Sequence, residues 1–309
     1  MLSSDPESPT PPVDVVVATH HRPDLLRAAL QSILDQTYPG SITCLVVFDR
    51  SEPDHSLERD DRHRRVRVVS NHRTPGLAGA RNTGILAGDG ELVAFCDDDD
   101  EWLPDKLVRQ VDALGSARAD TVVTGITVLY ADHEVSRVPT AASVRLGQLV
   151  RRRVMEAHPS TVLVRRSALT ERIGLVDEDI PGSYGEDYDW ILRAAEAGNL
   201  AVVEAPLVKV RWGQSLFSQK WQTIHDALGY LVDKHPAFRQ DPRALARITG
   251  QQAFALAALG RRRDAARAAA RTLRSSPRER RAYLALAVAS GVVSAPRVLD
   301  LAHRRGRGI

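Results

Sequence analysis

Four consecutive aspartates, Asp97–Asp100, stand directly after an apolar run, Leu92–Cys96. Like charges this close repel and raise each other's pKa unless a cation neutralises them. Hard divalent ions such as Mn²⁺ or Mg²⁺ take oxygen ligands and leave positions for water and phosphate. An acidic cluster at the tip of a buried strand therefore suits a metal that holds a diphosphate. The bland alternative is a solvated acidic turn ahead of the helix near Pro104. A second acidic element, Glu186-Asp187, precedes Tyr188, Asp189 and Trp190. It falls where a helix should begin, a place that favours acids in any case. Two further apolar runs end on polar residues: Val13–Ala18 on Thr19-His20-His21-Arg22, and Ile42–Phe48 on Asp49. No G-x-G-x-x-G follows the first run and no G-x-x-x-x-G-K-[ST] is present, which disfavours a dinucleotide fold and the P-loop ATPases.

The elements that must position these residues follow from periodicity. Val13–Ala18, Ile42–Phe48, Val66–Val69 and Leu92–Cys96 read as buried strands, with helices over Asp24–Asp35, Gly76–Ala87 and Pro104–Leu114 between them. Continuous apolar strands alternating with helices imply an α/β fold, a parallel sheet covered on both faces, with ligands beyond the carboxyl ends of the strands. Thr121–Tyr130 and Ser160–Arg165 read as strands, Tyr188–Ala197 as a helix, and Leu200–Trp212 as two strand pieces broken at Pro206. They continue the same domain with mixed strand directions. From 216 onward only Ala-rich helices are expected, over about 219–234, 242–259, 261–274, 277–290 and 296–304. Ala255, Leu259, Gly260, Ala265, Ala269, Leu273 and Pro277 resemble the spacing of a tetratricopeptide unit, but too few repeats fit for a free-standing solenoid. The expected organisation is a disordered segment over 1–12, a catalytic domain over 13–215 and a helical domain over 216–309.

Composition narrows the class. Of 309 residues, 43% are hydrophobic and 26% charged, an ordinary globular balance that excludes disordered and collagenous chains. The net charge of +3 conceals an asymmetry: residues 261–309 hold 13 of the 42 Lys+Arg against three acids (Asp264, Glu279 and Asp300). An acidic body thus carries a basic tail. The two cysteines, Cys44 and Cys96, lie in strand-like runs and read as buried thiols of a reducing compartment. No stretch reaches the ~20 apolar residues of a spanning helix, and the Pro-rich N-terminus is not a signal peptide, so the expected location is cytoplasmic. The tail's arginines are spread along helices with Tyr283 as the sole aromatic, which argues against nucleic-acid binding. Contact with an anionic membrane surface, and a homodimer through these helices, stay open.

The motifs also carry a resemblance. VVVATHHRP from Val15, LDQTY from Leu34, the run into Asp49, GLAGARNTGI from Gly76, FCDDDDEWLPDKL from Phe95 and GEDYDWILRAAEAG from Gly185 stand in order. Together they resemble a family 2 glycosyltransferase of the GT-A fold over about residues 13–215. The resemblance implies a nucleotide-sugar donor, UDP- or dTDP-linked, and a divalent metal, Mn²⁺ or Mg²⁺. It implies that Thr19, His20 and Arg22 line the base and ribose, that Asp49 accepts the N3–H of uracil or thymine, and that Arg81 neutralises a phosphate. Asp97, Asp98 and Asp99 become the D-x-D region, with Asp99 and Asp97 toward the metal and Asp98 toward the ribose. Asp100 is left to cap or orient the turn. Asp187 becomes the general base of an inverting transfer, with Glu186 beside it positioning the acceptor. His158, Trp190, Arg211 and Trp212 are the acceptor-side candidates. His158 could instead be structural, and Trp190 could belong to the core.

Arg211 and Trp212 stand where many members of the family have a histidine near the metal or diphosphate. That leaves fewer protein ligands, or lets Arg211 supply part of the charge. The acceptor (natural product, peptide or glycan) is not legible. Two other classes compete: a sugar nucleotidyltransferase or phosphohydrolase using the same aspartates, and a non-catalytic interaction protein.

Overall fold

The structure, a computed structural model, describes residues 10–130, 133–211 and 220–303. It divides into two units: Met1–Arg145, Val154–Glu178 and Asp187–Gly213 form the first, and Leu146–Arg153, Asp179–Glu186 and Gln214–Ile309 the second. The second unit thus takes two excursions, 146–153 and 179–186, from the stretch read above as one domain.

The described residues of the first unit form a mixed nine-stranded sheet with helices against it. Its elements begin with β1 (Val13–Thr19), α1 (Pro23–Leu34), β2 (Ile42–Phe48), β3 (Arg64–Ser70), α2 (Leu77–Ala87) and β4 (Leu92–Asp97). They continue with β5 (Asp100–Trp102), α3 (Lys106–Ser116), β6 (Thr121–Tyr130) and β7 (His133–Arg137). After α4 (Leu146–Arg151) of the second unit come β8 (Leu163–Arg165), the single turn α5 (Arg166–Ala168), α6 (Glu186–Ala197) and β9 (Leu200–Arg211). The order across the sheet is β3-β2-β1-β4-β8-β6-β9-β5, with β7 paired to β6.

The apolar runs of β1, β2 and β4 are buried on both faces, and β1 pairs in parallel with β2 and β4, as their unbroken apolar character requires. Their register sets Thr19 beside Phe48 and Ala18 beside Asp97, so three strands end at one level. The antiparallel β8 interrupts this parallel set. Beneath the sheet α1 buries Leu26, Ala29, Leu30 and Ile33, one face at helical spacing, into the same core as Cys44, Cys96 and Trp102. Each such aliphatic side chain is worth ~1.5–3 kcal/mol when fully buried.

Several elements differ from the sequence expectation. The segment before β8 is not strand but a short turn, Pro159–Thr161. The break expected at Pro206 is a bulge inside one continuous strand: the register of β9 on β6 shifts around Gly125, which faces Pro206. A bulge is where a residue without an N–H is tolerated in a ladder. β5 and β7 were not anticipated, because three and five residues are too short to show periodicity. Residues 10–12 are ordered: the Tyr38 hydroxyl donates to the Pro11 carbonyl at 2.6 Å and Leu92 N–H to Pro12 at 3.1 Å.

Lys106 is an anomaly of this core. It is 0% exposed, donates to Gln110 Oε1 at 2.7 Å and lies 3.7 Å over the Trp102 ring. Burial pushes its ammonium down to about 7. Gln110 in turn donates to the carbonyls of Val122 and Thr161, at 3.1 and 2.7 Å.

The second unit is helical: α4, then α7 (Trp221–Lys234), α8 (Pro236–Gln240), α9 (Pro242–Ala258), α10 (Arg262–Ser275), α11 (Arg280–Ala289) and α12 (Ala295–His303). Its core is built from small residues, among them Ala253, Ala257, Ala265, Ala269, Ala282 and Ala285, which let α10 and α11 lie close on α9 around Phe254. Gly260, at φ +76°, makes the left-handed turn between α9 and α10. Asp241 caps α9 by accepting from the N–H groups of Arg243 and Ala244, and Glu279 caps α11 by accepting from that of Arg281. No helix among the described residues is long and apolar enough to cross a membrane.

Candidate active site

The parallel strands of the first unit converge at their carboxyl ends on a set of carboxylates and arginines. Just beyond β1 and β2, His21 and Arg50 take left-handed backbone at φ +56° and +50°. Such strain, of order 1–3 kcal/mol at a non-glycine residue, persists where surrounding contacts fix it. Here the kink after β1 delivers Arg22, which opens α1 without a side-chain cap, since a guanidinium has no acceptor to offer the first N–H groups. Arg22 donates to Asp98 at 3.2 Å and to Asp99 at 2.6 Å. Thr19 Oγ1 donates to the other oxygen of Asp98 at 2.8 Å. His20 Nδ1 lies 2.7 Å from the Asp49 carbonyl.

Asp49 is buried, yet it stays well ionised. Desolvation raises its pKa, but hydrogen bonds from Asn71, from Gly76 N–H and from Arg50 outweigh that and lower it. Asn71 Nδ2 is 2.8 Å away and Gly76 N–H reaches both carboxylate oxygens at 3.1–3.2 Å. Gly76 sits at φ +124°, a left-handed position that a side chain would strain. Three residues on, a Cβ at Gly79 would stand 2.0 Å from the Thr74 carbonyl oxygen, so glycine is needed for α2 to start this close to its loop. From α2, Arg81, only 4% exposed, donates to Asp97 at 2.7 Å.

The four aspartates do not point one way. Asp98 and Asp99 form a turn held by Arg22, whereas Asp97 ends β4 and Asp100 opens β5. Asp97, Asp100 and His158 each offer one ligand atom, and these atoms lie within 4.8 Å of one another. His158 Nδ1 is 3.3 Å from Asp100, and Nε2 is 3.8 Å from Asp97. Ser160 ties the group together, donating to Asp100 Oδ2 at 2.5 Å and accepting from Asp97 N–H at 3.0 Å. Burial first, and repulsion by Asp97 second, push Asp100 well above the usual carboxylate range; the same two causes raise Asp99 more moderately. Two carboxylates and an imidazole are a donor set for a hard to borderline divalent ion, whose charge would relieve that repulsion. The cluster therefore fits Mn²⁺ or Mg²⁺; Asp97 was expected near the metal, whereas Asp100 was expected to orient the turn and His158 to face the acceptor.

Other expected site residues lie as follows. Glu186 and Asp187 are the first residues of α6, Glu186 buried and Asp187 half-buried. Trp190, 4% exposed, sets its ring edge-on to Phe95 of β4 at 5.8 Å, so it packs in the body of the unit and offers no open face to an acceptor. Arg211 ends β9 and is paired with Glu101. Trp212 lies outside the described residues.

Sequence reasoning passed over three groups. Ser160 lay at the start of the strand expected over Ser160–Arg165, two residues after His158, but a serine near a histidine carries little signal. Asn71 follows β3, and the strand-end rule applied to that strand would have found it. Glu178 had no local signal. It binds Arg73 at 2.5 Å and Asn82 at 2.6 Å, and these hydrogen bonds outweigh desolvation to lower it to about 2.

The family model of Glycosyl transferase family 2 matches residues 14–172, just over half of the chain. The chain belongs to this family. The match covers β1 to β8, with every strand-end residue described above except those of α6 and β9. Among curated proteins, the chain is 28% identical over 127 residues to the Escherichia coli UDP-Glc:alpha-D-GlcNAc-diphosphoundecaprenol beta-1,3-glucosyltransferase WfgD, over 40% of this chain and 46% of that one. The chain spans about half the length of the curated relatives it matches. Among solved structures, S. aureus TarS 1-349 in complex with UDP-GlcNAc superposes with a TM-score of 0.62 at 16% identity, over 96% of this chain and 92% of that one. The mannosyltransferase PcManGT from Pyrobaculum calidifontis, in complex with GDP-Man and Mn²⁺, superposes with a TM-score of 0.56 at 19% identity, over 94% and 82%. These likenesses establish the GT-A arrangement of the α/β unit.

Proposed function

We propose that the protein transfers a sugar from a UDP- or dTDP-sugar to a glycan hydroxyl with inversion at the anomeric carbon. The observation that carries this is the convergence of Asp97, Asp100 and His158 at the end of β4, in a chain of glycosyl transferase family 2. Asp49, kept ionised and acceptor-only, reads the N3–H of uracil or thymine and rejects cytosine, which has no such hydrogen. Thr19, His20, Arg22 and Asp98 flank the ribose, and Arg81 faces the phosphates. Asp97, Asp100 and His158, with Asp99 as the alternative ligand, hold a manganese or magnesium ion. When bound, it supplies positive charge to the departing diphosphate. Asp187 takes the acceptor's proton as that oxygen attacks C1 from the side opposite the diphosphate, and Glu186 positions the acceptor. The glycan acceptor is supported by the WfgD likeness, whose name gives a lipid-diphosphate-linked sugar as acceptor.

Thermal unfolding with a panel of nucleotide sugars, with and without Mn²⁺, tests this reading. UDP- or dTDP-sugars should raise Tm, more so with Mn²⁺, and Asp97→Ala should remove the Mn²⁺ increment. Equal response to CDP- or GDP-sugars would sink the base assignment. An unchanged Mn²⁺ increment in the variant would sink the metal one.

A further inference from the structure

The basic helical unit contains a cleft of about 1010 Å³, lined by α4, the starts of α9 and α11, and the turn before α11. Among the described residues five arginines line it, Arg151, Arg243, Arg247, Arg278 and Arg281, against two acids, Asp241 and Glu279. Both acids are already committed. Asp241 caps α9 and pairs with Arg151; Glu279 caps α11 and accepts from Arg281 Nη1 at 3.2 Å. The cleft is left with a surplus of three guanidinium charges.

The arginines divide by depth. Arg247 is 9% exposed and donates to the Val150 carbonyl at 3.3 Å, which fixes it in the floor. Arg281 keeps a buried Nε with no hydrogen-bond partner among the described residues. Arg243 and Arg278 are exposed at the rim, and neither joins an ion pair among the described residues. The N-termini of α9 and α11, helices of 17 and 10 residues, open into the same space and add their positive ends.

We infer that this cleft is a binding site for a phosphate group, separate from the strand-end site. Guanidinium forks match phosphate oxygens in pairs. A phosphate monoester or diester has enough oxygens for several forks, and a surplus of three charges exceeds what a lone carboxylate would answer. No aromatic side chain among the described residues lines the cleft, so they offer a nucleic-acid base no stacking platform there. The phosphate could belong to an anionic lipid headgroup or to a soluble phosphorylated ligand. The inference does not depend on the glycosyltransferase reading.

The test uses the whole chain and two probes. Inorganic phosphate is titrated by calorimetry at low ionic strength into the wild type and into Arg243→Ala/Arg278→Ala, whose substitutions are exposed and leave the core intact. The expected result is at least a tenfold weaker phosphate affinity in the double variant, with UDP binding unchanged as the internal control. Absent phosphate binding, or equal affinity in both proteins, overturns the inference. Co-sedimentation with phosphatidylcholine vesicles, with or without phosphatidylglycerol, separates the sources. Wild-type binding that needs phosphatidylglycerol and is competed by phosphate assigns a lipid headgroup. Phosphate binding with no vesicle binding assigns a soluble ligand.

Discussion

The α/β unit and the helical unit gather charge in opposite ways. In the first, acids crowd the strand ends and meet arginines: Asp98 and Asp99 meet Arg22 and Asp97 meets Arg81, each from a neighbouring element, and Asp49 meets Arg50, the next residue in the chain. In the second, arginines outnumber the acids around one cleft, and both acids are spent as helix caps. A parallel sheet ends its strands at one level, so consecutive residues can assemble a site. Packed helices bring together residues far apart in the chain, so their cleft shows only as an excess of charge.

The largest effect expected within the α/β unit is chemical. Asp187→Asn should lower transfer by ~10²–10⁴-fold, the usual range for a general base, while nucleotide-sugar binding is retained; full activity would remove Asp187 from the mechanism. Next come the metal-capable residues. His158→Ala should weaken Mn²⁺-dependent nucleotide binding by ~10-fold or more, with binding in chelator unaffected. If Asp99→Ala has that effect and His158→Ala does not, the ligands are the turn aspartates and the contrast between turn and strand ends falls.

Two smaller effects concern stability. Gly79→Ala should cost about 1–3 kcal/mol, the typical price of overpacking, read as a lowered Tm and as weaker nucleotide binding through the displaced Gly76 loop. The rim variants of the arginine cleft should leave Tm unchanged, which sharpens the contrast. The other is pH-dependent. An unfolded lysine titrates near 10.5, whereas Lys106 in the fold is pushed to about 7. Between these values the unfolded chain holds more protons, so stability should rise with pH across that window. Lys106→Met, which fills similar space beside Trp102, should flatten the rise and stabilise the protein most at and below pH ~7, where the lysine is charged. Tm measured from pH ~6 to ~10 checks this; a slope equal to wild type would mean the ammonium is not buried in solution.

Much of the α/β unit was legible because β1, β2 and β4 are unbroken apolar runs that end in marked residues. The family motifs then named most strand-end side chains. What was not legible had physical causes. β5 is three residues long and is created by a partner, β9, that lies over a hundred positions later. Asp100 was expected to cap or orient the following turn, yet it opens that strand. Lys106 shows the limits of residue type, since a lysine is buried here against Trp102, whereas Trp190 is core, as one of its two readings had it. In the helical unit alanine spacing located most helices. The arginine cleft depends on Arg151, in a segment assigned to the other domain, and so could not be seen from the tail alone.

The short path from β4 to β5 has one more consequence. Only Asp98 and Asp99 separate two strands that stand apart in the sheet, with β8, β6 and β9 between them in its order. Along β5, Asp100 and Trp102 share the buried side and Glu101 the other, where it meets Arg211. Inserting or deleting one residue in the aspartate run would shift β5 by one place and exchange Asp100 for Glu101 on the inner side. The number of aspartates is therefore a measured length of chain as much as a count of charges. The sheet acts as a ruler, and the acidic run is cut to fit it.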